Sequence, residues 1–356
     1  MRNTQLGNVA TYVNGFAFKP SDWSDEGLPI IRIQDLTGNS YQANRYNGVY
    51  HPKYEVNEGD VLISWSASLG VYVWKGERAV LNQHIFKVVF DKEAVDKSFF
   101  VHQVQNILEN AASEAHGATM KHLTKPVFDA LPFYLPAIEK QKKIACVLDR
   151  VSELIALRKG QLEKLDQLVK SRFVEMFGDP ITNSKKLPVN PMISRYSLKA
   201  GITTSANDIC DVEDEIYCVP CYGGNGIRGY VKVKSYTGNY PIIGRQGALC
   251  GNVQFATGEF HATEHAVLVS MLQDDNPIWV YYLLKYMDLY RYHTGAAQPG
   301  LAVKTLNAVD VIVADRNAQG NFTAFVEQTN KTKLTIQSSL DKLEVLKKSL
   351  MQEYFG

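Results

Sequence analysis

The most specific chemical pattern in this chain is His261-Ala262-Thr263-Glu264-His265, which matches the His-x-x-Glu-His signature of the inverted zinc peptidases. In that chemistry two histidines bind zinc and the glutamate activates a water, so a helix must bring both histidines to one face. Here the run leads into the apolar residues 266–269, which read as a strand. The residue that corresponds to Glu264 in the first half of the chain is Gln83. We therefore predict no zinc peptidase and no metal site.

Two other patterns also fall short of a catalytic or cofactor site. Cys218 and Cys221 have zinc-knuckle spacing, but no second Cys or His pair follows at a suitable distance, which favours ordinary core or surface thiols. The glycine-rich run at residues 223–229 lacks the Gly-Lys-Ser/Thr ending of a phosphate loop. The residues therefore indicate a non-catalytic protein with no cofactor of its own.

A different chemistry, the reading of DNA bases, fits several polar segments. Arginine pairs with guanine and asparagine or glutamine with adenine, beside serine, threonine and backbone amides that hold phosphate. The candidate DNA-binding residues are Arg32, Gln34, Ser64, Ser66, Asn82, Gln83, His84, Asn225, Arg228, Arg245, Gln246 and His265. A glycine-rich loop with an arginine is more often only a turn, and a histidine that starts a strand is about as often structural. With an offset of 181, Ser64-Trp65-Ser66 corresponds to Arg245-Gln246-Gly247, as expected if two domains read different bases.

The elements that would position these residues are mostly short strands. Apolar runs at residues 28–33, 59–64 and 84–90 are bounded by turn residues and read as strands, while residues 101–110 read as a helix. After two prolines in the extended run 131–136 the periodicity changes to that of a helix. We expect a mixed, mostly β domain followed by a long helix.

Each long helix carries apolar residues in an alternating four-three spacing, the pattern of a helix packed lengthwise against another. We call these positions the spacer seam. In the first copy it contains Ile144, Leu148, Val151, Ile155, Leu162, Leu165 and Val169, and in the second Phe322, Val326, Ile336, Leu340 and Leu343. A single such helix could equally lie on its own domain. Two helices at equivalent places in a duplicated chain favour an antiparallel pair.

The chain is a tandem repeat of one unit. Residues 117–178 align on residues 295–356 without a gap and with a constant offset of 178, half of the 356 residues. Matching pairs include Gly117 with Gly295, Leu162 with Leu340, and Phe177 with Phe355. A repeat of this length indicates a duplicated domain rather than a solenoid.

Composition is that of an ordinary globular protein, with 45% hydrophobic and 21% charged residues. No stretch approaches the roughly 20 apolar residues of a membrane span, and the first residues lack the apolar core of a signal peptide. We therefore expect a cytoplasmic protein with no membrane partner. Five scattered cysteines argue against a disulfide framework. A net charge of +1 neither supports nor excludes nucleic acid.

The chain resembles the specificity subunits of type I restriction-modification systems. The resemblance rests on the run Leu135-Pro136-Ala137-Ile138-Glu139-Lys140-Gln141-Lys142-Lys143-Ile144, on its lead-in at 117–123, on Leu148-Asp149 and 162–165, and on Phe177-Gly178-Asp179. Residues 222–230, 242–247 and 250–253 are also similar to many members of that family. The resemblance covers the whole chain in the family's order of target domain, spacer helix, target domain and spacer helix. One departure is Ala314, which stands where the first copy has Pro136.

This resemblance implies an α+β fold in which a mostly β target recognition domain and a long helix are duplicated in tandem, with the two helices forming an antiparallel coiled-coil spacer. The implied domains are residues 1–137 and 179–315 for target recognition, and 138–178 and 316–356 for the helices. Each target domain would read one half of a bipartite, asymmetric site in double-stranded DNA.

The resemblance also implies the partners. The spacer helices would dock two methyltransferase subunits, and two restriction and translocase subunits would join for cleavage. AdoMet, ATP and magnesium would belong to those partners, and none to this chain. The alternative is a non-enzymatic scaffold or binding protein built on the helix pair, which would be indifferent to DNA sequence.

Overall fold

The computed structural model describes residues 2–39, 44–114, 124–295 and 299–356. The chain divides into two compact units. The first unit contains residues 1–159 and 338–356, and the second unit contains residues 160–337. The whole of the predicted lead-in, residues 117–123, lies outside the described residues.

The first unit builds two four-stranded sheets from short strands. In chain order its elements are β1 Arg2–Gln5, β2 Thr11–Asn14, β3 Leu28–Ile31, α1 Ile33–Leu36, β4 Arg45–Tyr46, β5 Glu55–Val56, β6 Val61–Ser64, β7 Gly70–Val73, β8 Ala79–Leu81, β9 Ile85–Val89, α2 Lys97–Glu114, α3 Lys125–Ala130, β10 Pro132–Leu135 and the start of α4 Ile138–Phe177. The sheet orders are β2-β9-β6-β7 and β4-β3-β8-β5, and β1 pairs with β10. The three predicted strands are confirmed as β3, β6 and β9, and the predicted helix lies within α2.

The second unit repeats this topology strand for strand. Its elements are β11 Val189–Pro191, α5 Met192–Arg195, β12 Tyr196–Ala200, β13 Val219–Gly223, β14 Gly226–Val231, β15 Tyr236–Thr237, β16 Tyr240–Gly244, β17 Val253–Ala256, β18 Glu259–Ala262, β19 Ala266–Met271, α6 Pro277–Tyr286, α7 Val303–Asn307, β20 Asp310–Ile312 and the start of α8 Arg316–Phe355. The sheet orders are β12-β19-β16-β17 and β14-β13-β18-β15. In both units only the central pair of the second sheet, β3 with β8 or β13 with β18, runs parallel among the described strands.

The alternation of side chains along β6 and β16 explains why the first sheet of each unit packs against two separate cores. In β6 the residues Val61 and Ile63 face the core that includes Phe99 of α2, while Leu62 faces a second core beside Leu81. Successive side chains of a strand point to opposite faces, so a strand covered on both faces is apolar throughout. In β16, Ile243 belongs to the larger core and Ile242 to the smaller one. The first sheet of each unit is thereby buried on both faces.

The long helices are continuous, but each contributes segments to both units. In the first unit α4 and α8 run antiparallel, since Ile144 shares a core with Met351 while Lys159 pairs with Glu344 at 2.9 Å. In the second unit Phe173 contacts Phe322 with ring centroids 5.4 Å apart. The C-terminal end of each helix therefore completes the core of the other copy's β-rich domain. This packing explains why the seam occurs in two helices of equal length.

The spacer seam has the predicted spacing, with a core that is tight at its ends and looser between them. Every seam position is buried or half-buried, while the intervening positions are mostly exposed. Ile144, Leu148 and Val169 are nearly inaccessible, whereas Ile155, Leu162, Leu165, Ile336 and Leu343 are half-buried. Lys333, a polar break in the seam, forms an ion pair with Asp166. The seam therefore contains charged pairs as well as apolar contacts.

Candidate nucleic-acid interface

In the first unit a set of backbone hydrogen bonds gathers loops from four strands at the junction of the two sheets. The Gln83 amide donates to the Phe16 carbonyl at 2.8 Å, and the Asn82 amide donates to the Ile31 carbonyl at 3.1 Å. The Trp65 amide donates to the His84 carbonyl at 3.2 Å. These bonds place residues 82–84 between the loop that follows β3 and the loop that follows β6.

The second unit makes the same bonds with different residues. The Thr263 amide donates to the Tyr222 carbonyl at 2.9 Å, and the Arg245 amide donates to the His265 carbonyl at 3.0 Å. The equivalent residues are therefore Asn82 and Thr263, Gln83 and Glu264, His84 and His265, and Trp65 and Arg245. This corrects the predicted alignment of Ser64 with Arg245, because Ser64 pairs with Ile85 as Gly244 pairs with Ala266. The offset at this loop is 180, one residue less than in the following strand.

Glycines allow the loops to approach so closely. A Cβ on Gly15 would lie 2.0 Å from the Asn82 carbonyl oxygen, and a Cβ on the equivalent Gly201 would lie 2.2 Å from that of Ala262. In the second unit a Cβ on Gly244 would lie 2.0 Å from the Gly224 oxygen. Any side chain at these positions would push the loops apart.

Seven DNA-binding residues are predicted in the first unit. Apart from Arg32, the structure brings three of them together, buries two, and places Gln34 in a helix. Asn82, Gln83 and His84 are half-buried at the loop junction, and Gln34 is half-buried in α1. Ser64 is inaccessible, and its hydroxyl donates to the Ser68 carbonyl, while Ser66 is 5% exposed. The two serines are therefore positioned to shape the loop after β6, and their burial argues against the predicted contact with DNA.

Arg32 is oriented by two neighbours. Its backbone amide donates to Asp35 at 2.8 Å, and its Nε lies 3.6 Å from the same carboxylate. Its guanidinium lies 5.7 Å from the centroid of the exposed Trp23 ring. An arginine held between a carboxylate and an aromatic face is restricted in its rotamers, which reduces the entropy lost when it binds.

In the second unit we call residues 245–251, between β16 and β17, the reading loop. Arg245 is fixed through its backbone, which donates to His265 and accepts from the Leu301 amide at 2.8 Å. Its side chain is half-buried, and its Nε has no hydrogen-bond partner among the described residues. Buried polar groups are normally paired, so this unpaired Nε marks the Arg245 side chain as a candidate binding group.

The other predicted residues of the second unit are more accessible. Asn225, Arg228 and Gln246 are exposed, and the Asn225 side chain accepts from Asn252. His265 is half-buried, with its Nε2 3.2 Å from Glu264 and its Nδ1 without a partner in the described part of the chain. The structure therefore brings Arg245 and His265 together, while Arg228 lies on β14 outside that pair.

Trp65 and Glu264 occupy loop positions that were not among the predicted DNA-binding residues. Trp65 stacks on Phe86 with centroids 5.6 Å apart, and its indole donates to Asn14 at 3.1 Å. It thus packs against its own domain where the second unit presents Arg245. Glu264 accepts from the Thr204 amide at 3.3 Å. The repeat in the sequence aligns these loops with an offset of 181, whereas the structure gives an offset of 180. The difference of one residue is why the sequence does not pair Trp65 with Arg245.

The two histidines of the His-x-x-Glu-His pattern lie in a strand and in a turn. His261 lies in β18 and His265 in the turn after it, so no helix brings them to one face. His261 Nε2 lies 2.8 Å from the Thr204 hydroxyl, and Nδ1 contacts the Ser235 hydroxyl. Burial lowers the pKa of this imidazole. His261 is therefore a structural residue of β18.

The cysteines form no disulfide among the described residues. All five cysteines are free, with Cys218 exposed and Cys221 buried. Burial raises the pKa of the Cys221 thiol. Within residues 2–39, 44–114, 124–295 and 299–356, no group of three or more His, Cys, Asp or Glu side chains is placed to hold a metal ion.

Among the helices that the structure describes, none combines the length and apolar character needed to cross a bilayer.

The chain is similar to a known protein family and to known bacterial proteins. The family model described as the type I restriction modification DNA specificity domain matches residues 1–167. The EcoprrI specificity subunit of Escherichia coli, a type I restriction enzyme subunit, is 29% identical over 370 residues, which cover 97% of this chain and 90% of that protein. The EcoBI specificity subunit of the same species is 31% identical over 168 residues, or 46% of this chain and 35% of that protein.

Two solved structures share the fold across the whole chain. The S subunit of a type I restriction-modification system from M. genitalium covers 100% of this chain and 96% of its own, with a TM-score of 0.63 and 14% identity. A chain from a study of assembly and conformational transition in a type I system covers 99% and 97%, with a TM-score of 0.55 and 14% identity.

The chain thus duplicates a β-rich domain and presents different polar loops on one backbone frame. Over nearly its whole length the chain is similar to type I restriction enzyme specificity subunits, and residues 1–167 match the family model of the DNA specificity domain. Such subunits are the non-catalytic components of their complexes. The α+β fold with two β-rich domains and long helices is shared with the two solved structures.

Proposed function

We propose that this chain selects the DNA site of a type I restriction-modification complex by reading a bipartite, asymmetric sequence. Residues 1–137 and 179–315 are the two target recognition domains, and each reads one part of the site. The observation that carries this proposal is the shared loop frame with unlike side chains. Trp65 and Gln83 in one domain stand where Arg245 and Glu264 stand in the other.

The half-buried and exposed polar residues at the loop junctions, together with Gln34 of α1 and Arg228 of β14, are the proposed contacts with DNA. In the first domain they are Arg32, Gln34, Asn82, Gln83 and His84, and in the second Asn225, Arg228, Arg245, Gln246 and His265. We omit Ser64 and Ser66 from the proposed contacts because they are buried. Arginine, asparagine and glutamine make the paired hydrogen bonds that distinguish bases in the major groove.

Helices 138–178 and 316–356 set the spacing between the two parts of the site and dock two methyltransferase subunits. Two restriction and translocase subunits complete the complex, and AdoMet, ATP and magnesium belong to those partners. The proposal is supported by α4 and α8, each of which is continuous and contributes to the cores of both units.

Charge supports a role for partners in DNA affinity. Residues 1–137 contain 12 Lys and Arg against 14 Asp and Glu, and residues 179–315 contain 11 against 13, so each domain has a formal charge of −2. Affinity for duplex DNA comes mainly from neutralised phosphates. A domain without excess positive charge is suited to selecting bases while methyltransferase subunits supply much of the phosphate contact.

The test is a genome-wide map of methylated adenines in cells that express this chain with its neighbouring methyltransferase, compared with cells that express the methyltransferase alone. We expect methylation only when both are present, at a motif split by an unspecified gap. Methylation at the same sites without this chain would overturn the proposal. A stable complex that methylates no defined motif would favour the scaffold alternative.

A further inference from the structure

The reading loop of the second unit is held on both sides by one neighbouring region. On one side the Gly247 amide donates to the Pro299 carbonyl at 2.9 Å, and the Leu301 amide donates to Arg245 at 2.8 Å. On the other side the backbone of Tyr290 packs on Gly251, where a Cβ would come within 2.5 Å of the Tyr290 nitrogen. The described residues 289–294 therefore lie at the edge of the proposed DNA contact.

We call residues 289–294 the flanking segment. It begins with the 3₁₀ helix Leu289–Tyr292, and the Thr294 amide and carbonyl both bond to Gly300 at 2.9 Å. The ring of Tyr290, which is 41% exposed, stacks on His293 with centroids 4.3 Å apart and an interplanar angle of 23°. Arg291 is exposed beside that stack. A cation and an aromatic pair are thus fixed next to the reading loop.

Arg291 is held by an aromatic ring and not by a carboxylate. Its guanidinium lies 4.7 Å from the centroid of the Tyr292 ring, and its Nη2 donates to the Tyr292 hydroxyl at 2.6 Å. Within the described part of the chain it forms no ion pair, whereas Arg195 and Arg316 of the same unit pair with Asp275 and Asp274. The phenol occupies one of the five N–H donors of a guanidinium and leaves the positive charge uncompensated.

We propose that Arg291 binds a backbone phosphate of the DNA beside the bases read by the second unit. This inference rests on the proposed function of the two domains as DNA readers. A planar guanidinium matches the geometry of a phosphate, and a phosphate contact fixes the register of the protein on the duplex without carrying sequence information. In a domain of net negative charge such a contact also helps to orient the basic side chains toward DNA.

The test compares Arg291→Ala with Lys285→Ala in the complex with its methyltransferase subunits. Lys285 is an exposed cation on α6 that contacts Tyr281, so its removal changes the net charge by the same amount. We expect Arg291→Ala to weaken binding to a cognate duplex about tenfold, and to lower the slope of log K against log salt by about one. The methylated motif should stay the same, since a phosphate contact does not select bases.

Three results would overturn the phosphate contact. They are an Arg291→Ala complex that binds as tightly as Lys285→Ala, an unchanged salt slope, and a changed motif, the last of which would make Arg291 a base reader. Arg291→Gln, which retains most of the side-chain length, gives the same comparison if the alanine variant unfolds. Failure of the proposed function is a separate outcome, visible as wild-type methylation without a split motif.

Discussion

The loops of the two units are held by the same backbone bonds but present different side chains. In each unit a glycine at the end of the first sheet strand, Gly15 or Gly201, lies against the turn before the last strand of that sheet. The frame uses only peptide groups, so it is indifferent to the side chains that it carries. Trp65 in one unit and Arg245 in the other show how far those side chains have diverged. The frame conserves geometry while the chemistry at each position varies.

The same contrast extends into the interior. The register of β12 and β2 shows that Arg195 of the second unit corresponds to Val9 of the first. The hydrogen bonds of Gln319 to Asn276 and of Gln141 to Asp96 show that Asp275 corresponds to Val95. Arg195 and Asp275 form a bidentate ion pair with contacts of 2.6 and 3.1 Å. Both valines belong to the first unit's core or pack against it. One fold thus accepts either an apolar pair or a satisfied ion pair at this place.

The largest expected effect compares the two helix ends. Phe173 of α4 is fully buried against Phe177, Tyr286 and Phe322, at centroid distances of 5.1, 5.3 and 5.4 Å. Its equivalent in α8, Met351, is 8% exposed in the first unit's core. We expect Phe173→Ala to lower the free energy of unfolding by about 3–5 kcal/mol, and Met351→Ala by about 2 kcal/mol.

Denaturant unfolding with tryptophan fluorescence measures both variants, and Trp279 in the second unit's core reports directly on the Phe173 site. Equal losses in the two variants would show that the two helix ends pack equivalently, and would contradict the difference that we draw from their burial.

The next effect concerns the buried ion pair. Arg195→Val leaves the Asp275 carboxylate, whose side chain is 2% exposed, without a cation, and its remaining side-chain partners among the described residues are the neutral Gln319, at 2.9 Å, and Tyr196. We expect a loss of about 3 kcal/mol in the free energy of unfolding, because an uncompensated buried charge is strongly destabilising. The double variant Arg195→Val and Asp275→Val imitates the first unit.

The double variant should recover most of the loss, since an apolar pair of similar fit is often as stable as an ion pair. A double-mutant cycle by thermal and denaturant unfolding measures the coupling between the two residues. A double variant no more stable than Arg195→Val would mean that the second unit needs the ion pair for its fold.

Several features were predictable because they are periodic in the sequence. The seam follows from its spacing, and the duplication from a constant offset of 178. The offset between the β-rich domains is not constant. It is 186 at Gly15 and Gly201, 191 at Ile31 and Tyr222, and 180 at Trp65 and Arg245, because the connecting loops differ in length. Loop positions could therefore be assigned only from hydrogen bonds in the structure.

Burial and long-range pairing explain the remaining differences between prediction and structure. Ser64 has the chemistry of a phosphate ligand, but its hydroxyl is used by the backbone of its own turn. Arg195 and Asp275 are 80 residues apart and align with valines, so no local pattern reveals their pairing. No local pattern indicates Arg291, because its position depends on the neighbouring Tyr290, whose backbone packs on Gly251 of the reading loop.

A smaller effect is expected on sequence selection. Arg245→Ala should cost about 2 kcal/mol of discrimination at one base pair, because a bidentate contact distinguishes bases by roughly 1–3 kcal/mol. Only the part of the motif read by the second unit should relax. Arg228→Ala should relax the same part less, since Arg228 is exposed on β14 and lacks the two backbone bonds that fix Arg245.

Methylation mapping of the variant complexes measures both effects against the wild type. A motif that is unchanged in the Arg245→Ala complex would remove this residue from the reading set. Relaxation of both parts of the motif would contradict the assignment of one part to each domain.

The smallest effect concerns a histidine of the second unit that is replaced by a valine in the first. His261 of β18 occupies the place of the fully buried Val80 of β8, as the pairing of each strand with its parallel neighbour shows. Burial lowers the pKa of His261 in the folded chain. As pH falls below about 6.5, the unfolded chain therefore binds a proton that the folded chain resists. Acidification from about pH 7.5 to about pH 5.5 should thus reduce stability through this residue.

His261→Val should remove that contribution and make the melting temperature less sensitive to pH over this range, by less than about 1 kcal/mol in the free energy of unfolding. Some pH dependence should remain, because burial also lowers the pKa of His102 in the first unit, against the opposing effect of Asp149 beside it. Thr204→Val is the matched control, since it removes a hydrogen-bond partner of His261 but keeps the imidazole. If His261→Val and Thr204→Val lost the same pH sensitivity, the effect would arise from the hydrogen bond and not from protonation of the unfolded chain.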